Sequence, residues 1–386
     1  MYWLVIPPMF PILKQVFSLN NTEAGLIITV FATATTIAQT PVGFLVDRVG
    51  ARAVLISGLA IEGAAIGAFG LVDAYWHMLP LAFIAGLGHT VFHPADYAIL
   101  SARVSESRMG RAFSLHSASG YIGFALAPIY MVWVAELWGW RTSFLSIGAI
   151  GIIGALVLSS QSQMLSGMVK KTTGKSKVSS GAKSAKAPDS MSLTDGIKLL
   201  LSLPIMMCFL YFVLHQMGGG GLRSFLVVAL GDLHGTPALS AATALSAFTV
   251  GSVGGILSGG YVADKFGPRI TTAFATLVPA AVLIALLGSF DIRGTLLISI
   301  LALSGFLIGL LIPSRDLLLR SVTPPGSMGK VMGFASTGSN LGGALIPVVI
   351  GYAMDTAGPE WLFWISAIFV GAAFLTFVTA RSKYGS

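Results

Sequence analysis

Charge is what this sequence has least of. Only 10% of its residues are Asp, Glu, Lys or Arg, against about 25% in a soluble domain, so water is not its main solvent. Cysteine is almost missing too. Cys208 stands alone, which excludes an internal disulfide and leaves the redox compartment unread. No His/Cys/Asp/Glu spacing fits a metal, and no nucleophile–base constellation stands out, so neither an enzyme nor a cofactor is expected. Gly251-Ser-Val-Gly254-Gly255 sits inside an apolar run and does not make a phosphate loop. Any active process must then draw on an ion or solute gradient.

What the chain does have is apolar length. Apolar residues make up 55% and mean hydropathy is +0.84. The 46 glycines suit membrane helices, whose backbones approach closely at small residues. About 20 apolar residues cross a bilayer. Twelve spans are expected, near Tyr2–Phe17, Ala24–Val46, Ala53–Val72, Met78–Ala102, Arg111–Ala135, Thr142–Ser159, Leu199–Leu230, Leu239–Ala263, Ile270–Ser289, Thr295–Leu319, Val331–Met354 and Trp361–Ala380. Residues 1–160 form one six-helix bundle and 199–386 a second. Between them, 161–198 is a polar, Lys/Ser/Gly-rich linker expected to be disordered and cytoplasmic. The first span, with Pro7, Pro8 and Pro11, is read as the outer part of a helix whose start is missing. It is not a signal peptide, because it lacks a basic leader and a cleavage site.

The placement of positive charge tests this count. With both termini cytoplasmic, 19 of the 23 Lys and Arg fall inside. Only Lys14, Arg141, Arg223 and Arg293 fall outside. The net charge of +8 interrupts apolar spans instead of clustering on a soluble module, so nucleic acid is excluded as a partner. The partners expected are the lipid bilayer of a bacterial-type inner membrane and a small solute, and the chain is expected to act as a monomer.

The two halves repeat. Gly43-Phe-Leu-Val-Asp47-Arg48-Val-Gly50-Ala-Arg52 recurs as Gly260-Tyr-Val-Ala-Asp264-Lys265-Phe-Gly267-Pro-Arg269. At a shift of 219, Pro94 matches Pro313, Gly123 matches Gly342 and Pro128 matches Pro347. Parallel repeats place a solute site near the midplane, between the halves.

These paired G-x-x-x-D-R/K-x-G-x-R loops resemble the signature of the major facilitator superfamily, and the resemblance covers essentially the whole chain. Phe92-His93-Pro94 and Pro313-Ser314-Arg315-Asp316 look like the fosmidomycin-resistance-like drug and metabolite carriers within it. The resemblance implies an all-α fold of two pseudo-symmetric six-helix bundles that rock to give alternating access. It also implies that Asp47 faces the start of span eleven, around Ser327-Met328-Gly329, and that Asp264 faces span five near 107–110. Asp47, Arg48, Arg52, Asp264, Lys265 and Arg269 would then gate the cytoplasmic side. The sequence departs from the family at Ala82, where a span-four arginine is usual. Its span-five Gly120-Tyr-Ile-Gly123-Phe-Ala-Leu-Ala127-Pro128 is a partial antiporter pattern that leans towards efflux.

Ionisable groups inside a membrane are costly and mark pathways. His89, His93, Asp96 and Tyr97 share about one third of the span-four circumference, and histidine exchanges protons near neutral pH. Arg315, the repeat counterpart of Asp96, is expected to meet it when the cytoplasmic gate closes, or to pair with Asp316 next door. Span seven is expected to break at Gly218–Gly221, next to Arg223, which either binds an anionic group or lies at the outer surface. Glu62 reads as a structural acid or a proton carrier. His116 reads as a helix contact, and Gln39 and Asn340 as cavity polars. The chemistry points to a proton-coupled carrier of a small organic anion or an amphipathic drug or metabolite. A non-transporting sensor with the same fold is the other class considered, and the lack of a folded cytoplasmic domain argues against it.

Overall fold

The computed structural model describes residues 2–104, 106–161, 193–324 and 327–382. Side chains at 40, 47, 97, 101–103, 106–115, 117–118, 193–196, 328–330 and 381–382 lie outside that description. Most of the expected linker falls outside it as well.

Two short 3-10 turns, Tyr2–Leu4 and Pro7–Met9, lead into α1 (Phe10–Phe17). The N-terminal half continues with α2 (Asn21–Val49), α3 (Ala51–Ala68), α4 (Tyr75–His89), α5 (Phe92–Arg103), α6 (Glu106–Trp138) and α7 (Trp140–Ser160). After α8 (Leu193–Leu200), the C-terminal half is built of α9 (Leu203–His234), α10 (Ala238–Phe266), α11 (Ile270–Ser289), α12 (Gly294–Leu310), α13 (Ile312–Ser321), α14 (Met328–Ala357) and α15 (Trp361–Ser382). The described residues contain no strand. Helices alone satisfy every backbone group within their own segment in a bilayer.

Ten helical segments are long and apolar enough to cross a membrane. They account for expected spans three to twelve. The other two of the twelve rest on α1 and α2. α1 has only 8 residues because Pro7 and Pro8 break up the segment before it, and Pro11 falls in its first turn. α2 has the length, at 29 residues, but carries Asn, Thr and Gln along its course.

Three further expectations are corrected. Spans four and ten are each two helices, α4/α5 and α12/α13, broken at matching places in the repeat. Residues 193–198, assigned to the linker, are helical, as the start of α8. Span seven is not broken: α9 runs unbroken through Gly218–Gly221. Those glycines serve close packing instead. A Cβ on Gly218 would lie 2.7 Å from Val370 Cγ2 of α15, and one on Gly221 would lie 3.3 Å from Ile350 of α14.

The same device joins α10 to α12. A Cβ on Gly255 would collide with the carbonyl oxygen of Phe306 and lie 2.8 Å from the Leu310 nitrogen. Backbone cannot give way as a flexible side chain can. Gly255→Val is therefore expected to destabilise the protein by about 1–3 kcal/mol or more, read as a lowered unfolding temperature in detergent. Gly260→Ala, with nothing within 4 Å, should leave it unchanged.

Candidate functional site

The site lies where the halves face each other, chiefly along α2 and α14. At one end they are locked. Asn20 and Glu23 form a reciprocal capping box at the start of α2. The remaining free amides there are taken by the other half: Asp355 of α14 accepts from the Asn21 and Thr22 nitrogens, each at 2.8 Å, and from Thr22 Oγ1 at 2.7 Å. A carboxylate on a helix N-terminus meets about half a positive charge. Lys14 adds a second link across the halves, pairing with Asp232 at 3.2 Å.

The contact then fades along the helices. Gly25 is pressed against the Pro347 carbonyl, and a Cβ on Gly351 would lie 2.5 Å from the Asn21 carbonyl. Further along, Thr29 Oγ1 donates to the Ala344 carbonyl at 2.7 Å, and Asn340 Nδ2 donates to Gln39 Oε1 at 2.7 Å. Gly43 and Gly333 each lie eighteen residues from Gly25 and Gly351, about five turns on and so on the same helix faces. Among the described residues, a Cβ on either meets nothing within 4 Å. The close approach at Gly25 and Gly351 is therefore lost roughly 27 Å further on, leaving open space beside both glycines at the end that carries the Asp47 and Asp264 loops.

The N-terminal half brings titratable groups to this region in two pairs. Gly58 and Gly88 draw α3 and α4 together: a Cβ on Gly88 would lie 2.7 Å from the Glu62 nitrogen and 2.8 Å from the Gly58 carbonyl. That approach sets the next residue, His89, against Glu62, with Nδ1 2.8 Å from Oε1. Glu62 is 0% exposed. Phe31, Phe92 and Trp3 surround the His89 ring at 5.3–5.6 Å. The second pair is Asp96 Oδ2 with His116 Nε2, at 3.4 Å. His93 is exposed and interacts electrostatically with both His89 and His116.

The expected span-four cluster is thus split. His89 turns to Glu62, and Asp96 turns to His116. Glu62, expected as a structural acid or proton carrier, and His116, expected as a helix contact, were not expected as these partners, because each lies on a different helix. The Tyr97 side chain lies outside the described residues. Since Asp96 and His116 are in contact, Asp96→Asn and His116→Gln are expected to be non-additive by about 0.5–3 kcal/mol in a double-mutant cycle on transport rate. Additive effects would mean the pair does not act as a unit.

The C-terminal half brings guanidinium groups. Arg223 lies well inside α9, where its Nη2 donates to Gln216 Oε1 at 3.3 Å. Two turns of unbroken helix put Gln216 beneath it, so the expected outer-surface loop is excluded. Arg315 on α13 is 15% exposed in its side chain, bonds Asp316 through Nε at 2.9 Å and Nη2 at 2.8 Å, and stacks 4.2 Å over Phe212. It does not meet Asp96 in this conformation; Asp316 is nearer and already satisfies it. Of the expected gating residues, Arg48, Asp264, Lys265 and Arg269 are exposed and Arg52 is half-buried. Lys265 and Arg269 lie 5.4 and 5.6 Å over the Phe266 ring. The Asp47 side chain, and the side chains it and Asp264 were expected to face at 328–329 and 107–110, lie outside the described residues. Outside the spans, the Arg293 hydrogen bond holds the Asp291 carboxyl below its usual range, so that carboxylate stays charged near neutral pH. No group of three or more metal-ligating residues occurs among the described residues.

Comparison with known proteins decides the family. The profile of the Major Facilitator Superfamily matches residues 1–290 and 208–385. The chain belongs to the Major Facilitator Superfamily. It is therefore a multi-pass membrane protein of a family of transporters, not enzymes. A D-galactonate transporter of Escherichia coli is 24% identical over 92% of this chain and 86% of its own length. The fosmidomycin resistance protein of E. coli is 24% identical over 98% and 89%. A probable L-galactonate transporter of E. coli is 28% identical, but over 37% of this chain; the chain spans about a third of that relative, 32%. Among solved structures, a bacterial homologue of the human lysosomal transporter Spinster, in an inward-facing and unoccupied conformation, superposes with a TM-score of 0.80. It is 16% identical, with 98% of this chain and 93% of that one covered. At that identity the likeness shows the fold.

Proposed function

We propose that this chain is a proton-coupled secondary transporter that moves a small organic anion across the inner membrane by alternating access. One observation carries the reading. The C-terminal half holds guanidinium groups within its membrane helices, Arg223 and Arg315, while the N-terminal half holds carboxylate–imidazole pairs. A guanidinium inside a membrane needs a counter-charge, and its planar fork matches a carboxylate. Among the described residues Arg223 bonds the neutral Gln216 and lies near Tyr121, with no carboxylate paired to it, which leaves its charge for a solute. Imidazole is the side chain that exchanges protons most readily in the physiological range, and here each one is set against a carboxylate. Galactonate, named in two relatives, is a sugar acid and so an anion of the expected kind.

Placed with both termini in the cytoplasm, the locked end with Asp355 faces outwards and the open end faces inwards. The six loop residues at Asp47 and Asp264 then act on the cytoplasmic side. A reporter fused at Lys183 is expected to behave as cytoplasmic, and a periplasmic signal there would overturn this orientation. The functional test is uptake by proteoliposomes of radiolabelled D-galactonate and a panel of neutral, cationic and anionic solutes, with and without an imposed pH gradient. Saturable, gradient-stimulated uptake of one or more organic anions is expected. Uptake restricted to neutral or cationic solutes, or no transport of any solute, would refute the reading.

A further inference from the structure

We infer that Glu62 is the proton-binding carboxylate of the carrier, with His89 as the group through which it loads and unloads. This rests on the proton-coupled reading above and names the site. Glu62 is 0% exposed in the middle of α3. Its Oε1 bonds His89 Nδ1 at 2.8 Å, and its Oε2 is buried with no hydrogen-bond partner among the described residues. A bare carboxylate oxygen in such a place is costly. A fixed structural ion pair would be expected to satisfy both oxygens. An acid that spends part of its cycle protonated needs one oxygen free to carry the proton.

The surroundings fit a loading site. The pair is neutral when it holds one proton in total, as carboxylate with imidazolium or as carboxylic acid with imidazole. A second proton makes it cationic, and loss of the shared one makes it anionic. Either step changes the charge in a low-dielectric place, where that change weighs most. Access runs one way. The side chain of His89 is 20% exposed whereas that of Glu62 is sealed. His93, one turn along span four, is exposed and interacts electrostatically with His89. His116, paired with Asp96 at 3.4 Å, interacts with His93 in turn. The titratable groups therefore run from the exposed His93 and the half-buried Asp96–His116 pair inwards to Glu62.

The other ionisable groups around the pair do not compete for this role. Tyr2, from the N-terminal turn, interacts electrostatically with Glu62, but its hydroxyl is committed to the Ile147 carbonyl at 2.9 Å. α7 packs against α3, and its Arg141 is held at the end of the α3–α4 connection by the Val72 carbonyl and Asp73, at 2.9 and 3.0 Å. α2 presents Phe31 to the His89 ring.

Two readouts test the inference on the purified full chain. The first is infrared difference spectroscopy between mildly acidic and mildly alkaline buffer, which detects the carbonyl stretch of a protonated buried carboxyl without any solute. That band is expected in the parent and in Asp96→Asn, absent in Glu62→Gln, and shifted in frequency in Glu62→Asp, whose shorter side chain draws back from His89. The second is D-galactonate movement in proteoliposomes. Glu62→Gln is expected to lose stimulation by a pH gradient while galactonate-for-galactonate exchange continues. A band that persists in Glu62→Gln would overturn the assignment. So would gradient stimulation that survives in Glu62→Gln. A parent with no gradient dependence would instead refute proton coupling itself, and Glu62 with it. Glu62→Asp guards against a folding failure in Glu62→Gln, since it keeps an acid at the site.

Discussion

In proteoliposomes, Arg223→Gln is expected to weaken the half-saturation for D-galactonate about ten- to a hundredfold. The replacement keeps a polar side chain of moderate size in α9 but removes the fork. A hydrogen bond to a charged group contributes roughly 1.5–3 kcal/mol, and each 1.4 kcal/mol is about tenfold in affinity. Arg223→Lys retains the charge without the planar geometry and should fall between parent and Gln. Gln216→Ala removes only the neutral group that orients the guanidinium at 3.3 Å, so a change of about threefold or less is expected. If Arg223→Gln binds galactonate as the parent does, the arginine serves the helix and not the solute.

The second large effect is expected at the other end of the molecule. Asp355→Asn keeps the shape of the side chain that seals α2, yet it removes the negative charge that two backbone amides and a hydroxyl share. Asp355 is exposed, so solvent screens part of the gain. A cost of about 1–2 kcal/mol is expected for the locked conformation. That shifts a two-state balance by roughly five- to thirtyfold. Reactivity of a cysteine placed beneath the seal, read with an impermeant thiol reagent from the Asp355 side, should rise accordingly. An unchanged reactivity would mean that Lys14–Asp232 and the glycine contacts close that end unaided.

How much of this was legible in the sequence follows from the range of each signal. The duplicated Gly-x-x-x-Asp loops and the matched prolines lie at nearly one offset, so the two-half architecture was plain. The breaks between α4 and α5, and between α12 and α13, were not. Pro94 and Pro313 lie just beyond them, but Pro41, Pro80, Pro128, Pro279 and Pro347 lie inside unbroken helices. Proline alone does not say which outcome follows, because neighbouring helices can satisfy the freed carbonyl. Gly218–Gly221 misled in the opposite sense. In water such a run weakens a helix. Between α14 and α15 it lets three backbones approach. The continuity it preserves is what places Gln216 under Arg223.

The ion pairs were hidden for another reason. His89, His93 and Asp96 are neighbours by helical periodicity, and periodicity is local. Glu62 is 27 residues from His89, and what brings them together is the register of α3 on α4, set by Gly58 and Gly88. His116 meets Asp96 only through the packing of α6 on α5. The sequence holds the residue types for such pairs, while helix register chooses the partners. Arg315 makes the same point: repeat symmetry points it at Asp96, but Asp316 is covalently next door and takes it.

Alternating access here requires α2 and α14 to swing against each other, from a state closed at Asp355 and open at Gly43 and Gly333. Distances between paired spin labels test this most directly. One pair is Gly43→Cys with Gly333→Cys, where open space accepts a label. The other is Gln15→Cys with Thr356→Cys, exposed residues of the two halves at the closed end. On adding D-galactonate in mildly acidic buffer, a second population is expected in which the first distance shortens as the second lengthens. Two distances that rise or fall together, or that stay fixed while transport proceeds, would contradict alternating access by this pair of helices.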